Sequence, residues 1–456
     1  MDATTERLAR FAADMRFDLL SPATVHESKR RLIDTIASAM AGYSDPVCAM
    51  ARNLAQKRPG EPAAGVWGSD IRSAPEMAAF ANGVMLRFMD ISDTYVGKSR
   101  GHPSDVMSGI LAIGETVHAD GASILNAITL AYDVYCSFID AIEINQKGWD
   151  QPVYGVLASA LGVGKLLGLS PAQMQNAVSL ALAPNMALAQ SRSGALSNWK
   201  GCAGANAARN GVFAAQLAQE GFTGPTAVFE GVGGLWDALG RFEWPLPDTR
   251  GPHMIEQTHI KSLPVCFHGQ SAVLAALDLR PRVRADLIRE IQVDTYDTAV
   301  LMMANDATRW APTTHETADH SMPYVIAMAL LDGEVTAASF QESRLADPAV
   351  VNLMQKIKVT AAPDLCALYP ESAPGRVRVQ MTSGEVHTAE VRYPKGHAKN
   401  PLTDAELEAK FRRIFHEEGR TAQCEPALQA LWAFDRTPDA AARVFGLLRE
   451  NAPANR

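Results

Sequence analysis

The sequence has 456 residues, enough for two or three domains of about 150 residues and for a large core that needs no disulfides. Apolar residues make up 47% and charged residues 20%, which is typical of globular proteins and excludes a disordered or collagen-like chain. The 42 Lys and Arg against 50 Asp and Glu give a net charge of −8, which argues against non-specific nucleic-acid binding. An anionic ligand would therefore have to meet a local cluster of cations.

Cysteine spacing and the N-terminus indicate a reducing compartment. No two of the six cysteines have a CxxC spacing, so we predict buried free thiols and no zinc ribbon. The first eleven residues are polar and lack a signal-peptide core, and the apolar run Val153–Gly164 is too short to span a bilayer. These features predict a cytoplasmic protein without membrane contact.

The first 265 residues or so are predicted to be helical. Thr24 and Glu27 have the spacing of a capping box before an apolar stripe, and Ser170 and Gln173 have it again. The segment Ser123–Ile142 is apolar around most of its circumference, which is typical of a helix buried by other helices.

Strand patterns begin after about residue 285. Apolar and polar residues alternate in Ile291–Thr295 and again in Met354–Thr360. Two further strand segments, Arg376–Thr382 and Glu385–Tyr393, flank Ser383-Gly384, which predicts a two-residue hairpin.

A capping box at Thr403 and Glu406 marks the return to helix, which continues to the C-terminus. We therefore predict a mainly α fold, with a large all-helical domain formed by residues 1–274 plus 401–456. A smaller α+β domain, residues 275–400, is inserted and is expected to act as a lid.

Two familiar motifs are incomplete. Gly162–Lys165 and Gly231–Gly234 lack the full pattern of a phosphate loop. His315 and His320 are five residues apart, so on a helix their rings would point about 140° apart and could not share a metal. We predict no metal.

Five short segments place unusual polar residues in apolar surroundings. They are Phe88–Tyr95, Gly101–Asp105, Ser197–Ala203, Lys261–Ser271 and Asp319–Tyr324.

These segments, in this order, resemble the MmgE/PrpD family, which includes 2-methylcitrate dehydratase, cis-aconitate decarboxylase and iminodisuccinate epimerase. The motifs Gly-His-Pro-Ser, Phe-His-x-Gln-Ser and Asp-His-Ser-x-Pro-Tyr are specific in combination, and Tyr393–His397 extends the likeness. The resemblance implies a helical domain with an α+β lid, an interdomain active site and a homodimer. It also implies chemistry on small polycarboxylates without a metal or organic cofactor.

The candidate residues suit that chemistry. Removing a proton beside a carboxylate builds an enediolate-like dianion, which needs cations, hydrogen-bond donors and a positioned base. The available set is Lys200, Lys261, His102 and His268, and Arg192 offers a bidentate grip.

Two more residues complete the predicted catalytic set. Asp93 is expected to act as a base or to orient a histidine, and Tyr324 to donate a proton or hold a departing oxygen. Each candidate has a structural alternative: Asp93 as a turn cap, Tyr324 and His268 as core residues, and the lysines as surface residues.

One position departs from the family pattern. Many members have a histidine where this chain has Gln151, and glutamine cannot accept and return a proton at neutral pH. The role of that histidine is absent, moved, or taken by Tyr154 or Asp150, so Gln151 and Tyr154 are treated as substrate-binding candidates.

The leading functional hypothesis is a hydro-lyase resembling 2-methylcitrate dehydratase. An epimerase or racemase is second, motivated by Gln151, and a cis-aconitate-type decarboxylase is third. The alternative from another class is a non-catalytic carboxylate-binding protein.

Overall fold

The computed structural model describes residues 1–194 and 196–449. The buried apolar residues form two main cores. One contains residues from Leu8 to Ile260 and again from Leu402 to Leu448, and the other runs from Val265 to Met381. The fold is mainly α, as predicted.

Helices that pack on one another build the first core, and the central helix α9 contacts α4, α7 and α8. The helices are α1 (Ala3–Asp14), α2 (Pro22–Ala41), α3 (Pro46–Gln56), α4 (Pro75–Phe88), α5 (Met107–Thr116), α6 (Gly121–Ala141), α7 (Pro152–Leu166), α8 (Pro171–Leu182), α9 (Trp199–Gln219) and α10 (Leu235–Leu239). Two short antiparallel pairs accompany them: β1 (Ala64–Gly65) with β2 (Arg72–Ser73), and β3 (Tyr95–Val96) with β4 (Arg100–Gly101).

Helix α6 is long and apolar enough to cross a membrane by length and composition. Its side chains are nevertheless almost all buried inside the protein. It is therefore placed as a core helix, in agreement with the predicted all-round apolar pattern.

Two of the three predicted capping boxes form in the structure. The Ser170–Gln173 capping box is confirmed. The predicted box at Thr24 is wrong, because Ser21 caps α2 by accepting from the Thr24 N–H and Pro22 takes the first helical position.

The second core surrounds a four-stranded sheet in the order β6-β5-β7-β8. Its strands are β5 (Ile288–Thr295), β6 (Ile357–Ala361), β7 (Gly375–Met381) and β8 (Val386–Val391), with β5 and β6 parallel and the other pairs antiparallel. The helices of this part are α11 (Gln270–Leu279), α12 (Asp297–Met303), α13 (Ala307–Trp310), α14 (His315–Ala318), α15 (Met322–Asp332), α16 (Glu342–Leu345), α17 (Pro348–Met354) and α18 (Pro363–Cys366).

The predicted hairpin forms, but its loop is wider than two residues. The Met381 N–H donates to the Glu385 carbonyl at 2.8 Å, which adds Thr382 to the loop. Gly384 has a φ of +92°, the left-handed conformation that favours glycine.

The C-terminal helices α19 (Asp404–Glu417), α20 (Thr421–Trp432) and α21 (Ala440–Leu448) return to the first core. The predicted capping box at Thr403 and Glu406 is confirmed. Helix α11 packs against β7 and β8, so the second core begins near Val265 rather than at residue 275. The last residues of the predicted helical domain, 450–456, lie outside the described part, and the role of the second domain as a lid stays a prediction.

Candidate active site

A cavity of about 640 Å³ is lined by residues from both cores. Five of the nine predicted site residues line it. They are His102, Gln151, Arg192, Lys261 and His268. The other four, Asp93, Tyr154, Lys200 and Tyr324, lie behind its walls or in the cores.

His102 directly follows β4 and has one ring nitrogen fixed. Its Nδ1 lies 2.7 Å from the Asp93 carbonyl oxygen, which can only accept, so Nδ1 carries the proton. The lone pair is then on Nε2. Burial, reinforced by the positive charges of Arg87 and Lys261, holds the pKa of His102 well below its usual range. The ring is therefore neutral at pH 7 and can accept a proton at Nε2.

Asp93 supports this histidine and does not reach the cavity. Its carboxylate accepts hydrogen bonds from the Ser104 N–H at 3.0 Å and the Tyr132 hydroxyl at 2.7 Å. Of the two roles expected for Asp93, the geometry favours positioning His102, through the backbone carbonyl, over direct proton abstraction.

Asp90 lies at the centre of a buried cation cluster. The Lys261 Nζ is 3.1 Å from its carboxylate and 2.8 Å from its carbonyl oxygen, and an Arg87 nitrogen is 3.2 Å away. Burial alone would raise the pKa of Asp90, but Lys200, Lys261 and Arg87 outweigh it and hold the pKa well below its usual range. Asp90 has a φ of +48°, which aspartate tolerates better than most residues. Asp90 is not among the site residues predicted from the sequence.

Lys200 connects the two cores. At the first turn of α9, its Nζ lies 3.0 Å from Asp319 and 4.0 Å from Asp90. It is buried and does not line the cavity, so its charge acts on the site through these carboxylates.

Asp90, Asp319 and His320 each offer a ligand atom within 4.8 Å of the others, the spacing of a possible metal site. Both carboxylates already pair with lysines, and Lys261 donates to the same Asp90 residue. A metal cation would have to compete with these ammonium groups, so the donor set does not fit one and we assign none.

The second core supplies Cys266, His268 and His320 to the cavity. The His268 Nδ1 lies 2.6 Å from the Tyr296 hydroxyl, and burial with the charge of Arg100 lowers the pKa of His268 well below its usual range. From the sequence, Cys266 is expected only to be a buried free thiol, and His320 is not among the predicted site residues. The sequence signals that could have indicated these residues are the dipeptides Phe267-His268 and Asp319-His320.

Three arginines face the cavity without full partners. Arg192 pairs with Asp150 at 3.0 Å, yet one of its terminal nitrogens has no hydrogen-bond partner in the described chain. Arg309 is only 3% exposed, and its Nη1 also has no partner among the described residues. Arg100 contacts the Met302 sulfur at 3.3 Å, and no carboxylate in the described part lies within ion-pair distance. Guanidinium groups in this state are suited to bind carboxylates.

Of the remaining candidates, Gln151 lies in the cavity wall, whereas Tyr154 and Tyr324 are buried away from the cavity. Gln151 lines the cavity and its Oε1 accepts from the Tyr135 hydroxyl at 3.2 Å. Tyr154 is fully buried and donates to the Ile142 carbonyl at 3.0 Å, and Tyr324 is fully buried in the second core and donates to Ser339. The expected contact of these two tyrosines with substrate is thus corrected, because each hydroxyl is used by a backbone carbonyl outside the cavity.

Two family models match most of the chain. Residues 6–244 match the MmgE/PrpD N-terminal domain, and residues 263–433 match the MmgE/PrpD C-terminal domain. The 2-methylcitrate dehydratase of Cupriavidus necator is 28% identical over 425 residues, covering 84% of each chain. That of Escherichia coli (strain K12) is 27% identical over 419 residues with the same coverage. Cis-aconitate decarboxylase of Homo sapiens is 26% identical over 439 residues, covering 90% of this chain and 88% of the human protein. These relatives support a dehydratase-like lyase function at the level of the family. By both domain matches, the chain belongs to the MmgE/PrpD family.

Proposed function

We propose that this protein is a cofactor-independent hydro-lyase that removes water from a small hydroxy di- or tricarboxylate. The observation that carries the proposal is the presence, in one cavity, of a neutral base and of cations whose hydrogen-bonding groups are not all partnered. His102 supplies the base, and Arg100, Arg192 and Arg309 supply the cations.

Proton abstraction follows from the state of His102. Its Nε2 takes the proton from the carbon beside a substrate carboxylate, and the electron pair builds enediolate character on that carboxylate. Lys261, which lines the cavity next to Asp90, and the arginines stabilise the added negative charge. Such stabilisation is strong because these cations are largely removed from water.

Elimination completes the reaction. As the carbon–carbon double bond forms, the carbon–oxygen bond on the neighbouring carbon breaks, and the hydroxyl leaves as water after taking a proton from a second group of the cavity. The cavity volume of about 640 Å³ is ample for a substrate of citrate size.

The test is proton NMR in D₂O with 2-methylcitrate first, then citrate, malate, cis-aconitate and iminodisuccinate. We expect the vinyl or methyl signals of an unsaturated product to grow as a hydroxy acid disappears. A chain that dehydrates none of the hydroxy acids contradicts the proposal.

Epimerisation is the second candidate, favoured by Gln151 at the position where many family members have a histidine, and by the several proton-transfer groups that line the cavity. It predicts incorporation of solvent deuterium with inversion and no loss of water in the same NMR experiment. Release of CO₂ would instead identify a decarboxylase, the third candidate.

A non-catalytic carboxylate-binding protein is the alternative from another class. It predicts that Lys200→Ala and His268→Ala change affinity or nothing, since there is no turnover to lose. The enzyme predicts a fall in kcat of orders of magnitude while circular dichroism shows an intact fold. The homodimer and the cytoplasmic location stay predictions.

A further inference from the structure

Cys266 lies in the cavity but has no role in the proton abstraction by His102. It lines the cavity wall contributed by the second core, and its backbone N–H donates to the Asp319 carbonyl at 3.0 Å. This bond holds Cys266 beside the Asp319-His320 pair, and His320 lines the same wall.

The hydrogen bonds of His320 determine which of its nitrogens meets the thiol. Its Nδ1 donates to the Asp319 carboxylate, which can only accept. The other ring nitrogen, Nε2, is left to interact with the neighbouring Cys266 thiol, whose pKa His320 lowers. Lys200, 3.0 Å from the second Asp319 oxygen, keeps that carboxylate ionised and in place.

The surrounding charges favour a thiolate–imidazolium pair. Burial alone would raise the pKa of Cys266, but the positive charge of His320 opposes burial and lowers it. Lys261 lowers this pKa further, the negative charge of Asp90 opposes the effect, and the net shift is downward. Burial and Lys200 depress the pKa of His320, yet Cys266 and Asp319 raise it overall. The lowered pKa of Cys266 contrasts with that of Cys202, which lies outside the cavity and whose pKa burial raises to about 11.

A ligand is expected against this wall for a separate reason. Arg309 lines the same cavity, and its buried Nη1 has no partner among the described residues. An anionic group bound there would lie in the cavity that Cys266 faces.

We propose that Cys266, His320 and Asp319 form a relay in which Cys266 and His320 hold the proton that protonates the departing hydroxyl. Cys266 and His320 are the catalytic residues of the relay, and Asp319 is a positioning residue. One proton passes from the relay to the leaving oxygen as its bond to carbon breaks, while His102 holds the proton taken from carbon. Both groups return to their starting state by exchange with water. This inference rests on the proposed function for its reaction but not for the state of the thiol.

The state of the thiol is measured without any substrate. Iodoacetamide alkylation, followed site by site with mass spectrometry between pH 5 and 9, should show Cys266 reacting with a midpoint below the ordinary thiol pKa of about 8.5. In His320→Gln the reaction of Cys266 at pH 6 should slow by about tenfold or more, since each pKa unit changes the thiolate fraction tenfold. Cys202 is the internal control and should react alike in both proteins. An ordinary midpoint, or no effect of His320→Gln, overturns the relay whatever the enzyme proves to catalyse.

The role in elimination is tested with 2-methylcitrate in D₂O. Cys266→Ala should slow water loss by about 10²–10⁴-fold while exchange of the abstracted proton with solvent continues, because His102 is intact. Cys202→Ala is the matched control and should keep wild-type rates. Exchange and water loss that fall together in Cys266→Ala contradict an acid role. If the thiol is activated but nothing is dehydrated, the activated state of Cys266 stands, and the hydro-lyase assignment fails together with the acid role of the relay.

Discussion

His102 is the residue whose chemistry is most closely fixed by its neighbours. The Asp93 carbonyl determines its tautomer, and burial with two nearby cations lowers its pKa. A base must be deprotonated to act, so activity is lost only as the pH falls through this lowered pKa. The acid limb of the pH profile of kcat/KM should therefore lie below about pH 6.5, which is the ordinary pKa of histidine.

Replacing this base tests its role directly. His102→Asn keeps a hydrogen-bonding side chain but cannot hold a proton, so kcat should fall by about 10²–10⁴-fold. His118 is a suitable control, since it is exposed and pairs with Asp439 at 3.1 Å, outside the cavity. His118→Asn should leave kcat and the pH profile unchanged, and an unchanged kcat in His102→Asn contradicts the assignment.

Arg309 is expected to destabilise the free protein and to bind the substrate. A buried guanidinium with an unpartnered nitrogen destabilises the free protein, and a bound carboxylate would satisfy it. Arg309→Met should therefore leave the free energy of unfolding unchanged or increase it, while KM rises about 10- to 100-fold. Urea denaturation and steady-state kinetics measure the two effects.

The exposed Arg284, which pairs with Asp286, provides the control for Arg309. Arg284→Met should change neither quantity appreciably. A strong loss of stability in Arg309→Met without a change in KM would show that Arg309 has a structural role only.

At the scale of elements, α9 depends on close approach to the loop that carries the site. A Cβ at Gly204 would lie 2.1 Å from a carboxylate oxygen of Asp105, which pairs with Arg87 at 3.1 Å. A Cβ at Gly201, in the same helix, would meet nothing closer than 3.6 Å. The glycines are therefore not equivalent, although both are buried in one helix.

This difference predicts opposite outcomes for the same substitution. Gly204→Ala should destabilise the protein by about 1–3 kcal/mol because Asp105 must move. Gly201→Ala should be neutral or stabilise by up to about 1 kcal/mol, since alanine is the better helix former. Urea denaturation of the two variants decides, and equal effects would show that the contact at Gly204 relaxes freely.

At the scale of the whole molecule, Lys410 ties the C-terminal helices to the site. Its Nζ donates to Asp34 on α2 at 2.6 Å and to the backbone carbonyls of Ile91 and Lys261 at 2.9 and 2.8 Å. Ile91 follows Asp90 in the sequence, and Lys261 belongs to the cation cluster around Asp90. The end of the chain thus positions two site segments that are distant in sequence.

Removing this ammonium group leaves a buried carboxylate and two carbonyls without their donor. Lys410→Met should destabilise the protein by about 3–5 kcal/mol, measured by urea denaturation. Lys399 pairs with Glu371 on the surface, and Lys399→Met should cost less than about 1 kcal/mol. A loss of stability in Lys410→Met no larger than in Lys399→Met would contradict this account.

Features that depend on neighbouring residues could be predicted from the sequence. The capping boxes at Ser170 and Thr403 form because each involves residues three positions apart. The alternation in Ile291–Thr295 predicts a strand because a half-buried sheet has a period of two, although the order of the four strands is not encoded locally.

The candidate site shows the same division. His102, Lys261 and His268 stand out as polar residues within apolar segments, and all three line the cavity. The arrangement of the nine candidates could not be predicted, since no local pattern shows that Tyr324 donates to Ser339 or that Lys200 lies behind the wall.

The sequence by itself determined the mainly α fold, the capped helices, the strand segments and the family of the chain. Only the tertiary structure decided that Asp90 gathers the cations, that Arg309 remains unpartnered and that Cys266 lies beside His320. The physical reason is distance along the chain. A helix cap is satisfied within one turn, whereas the charge state of a buried group depends on partners tens to hundreds of residues away that folding alone brings together.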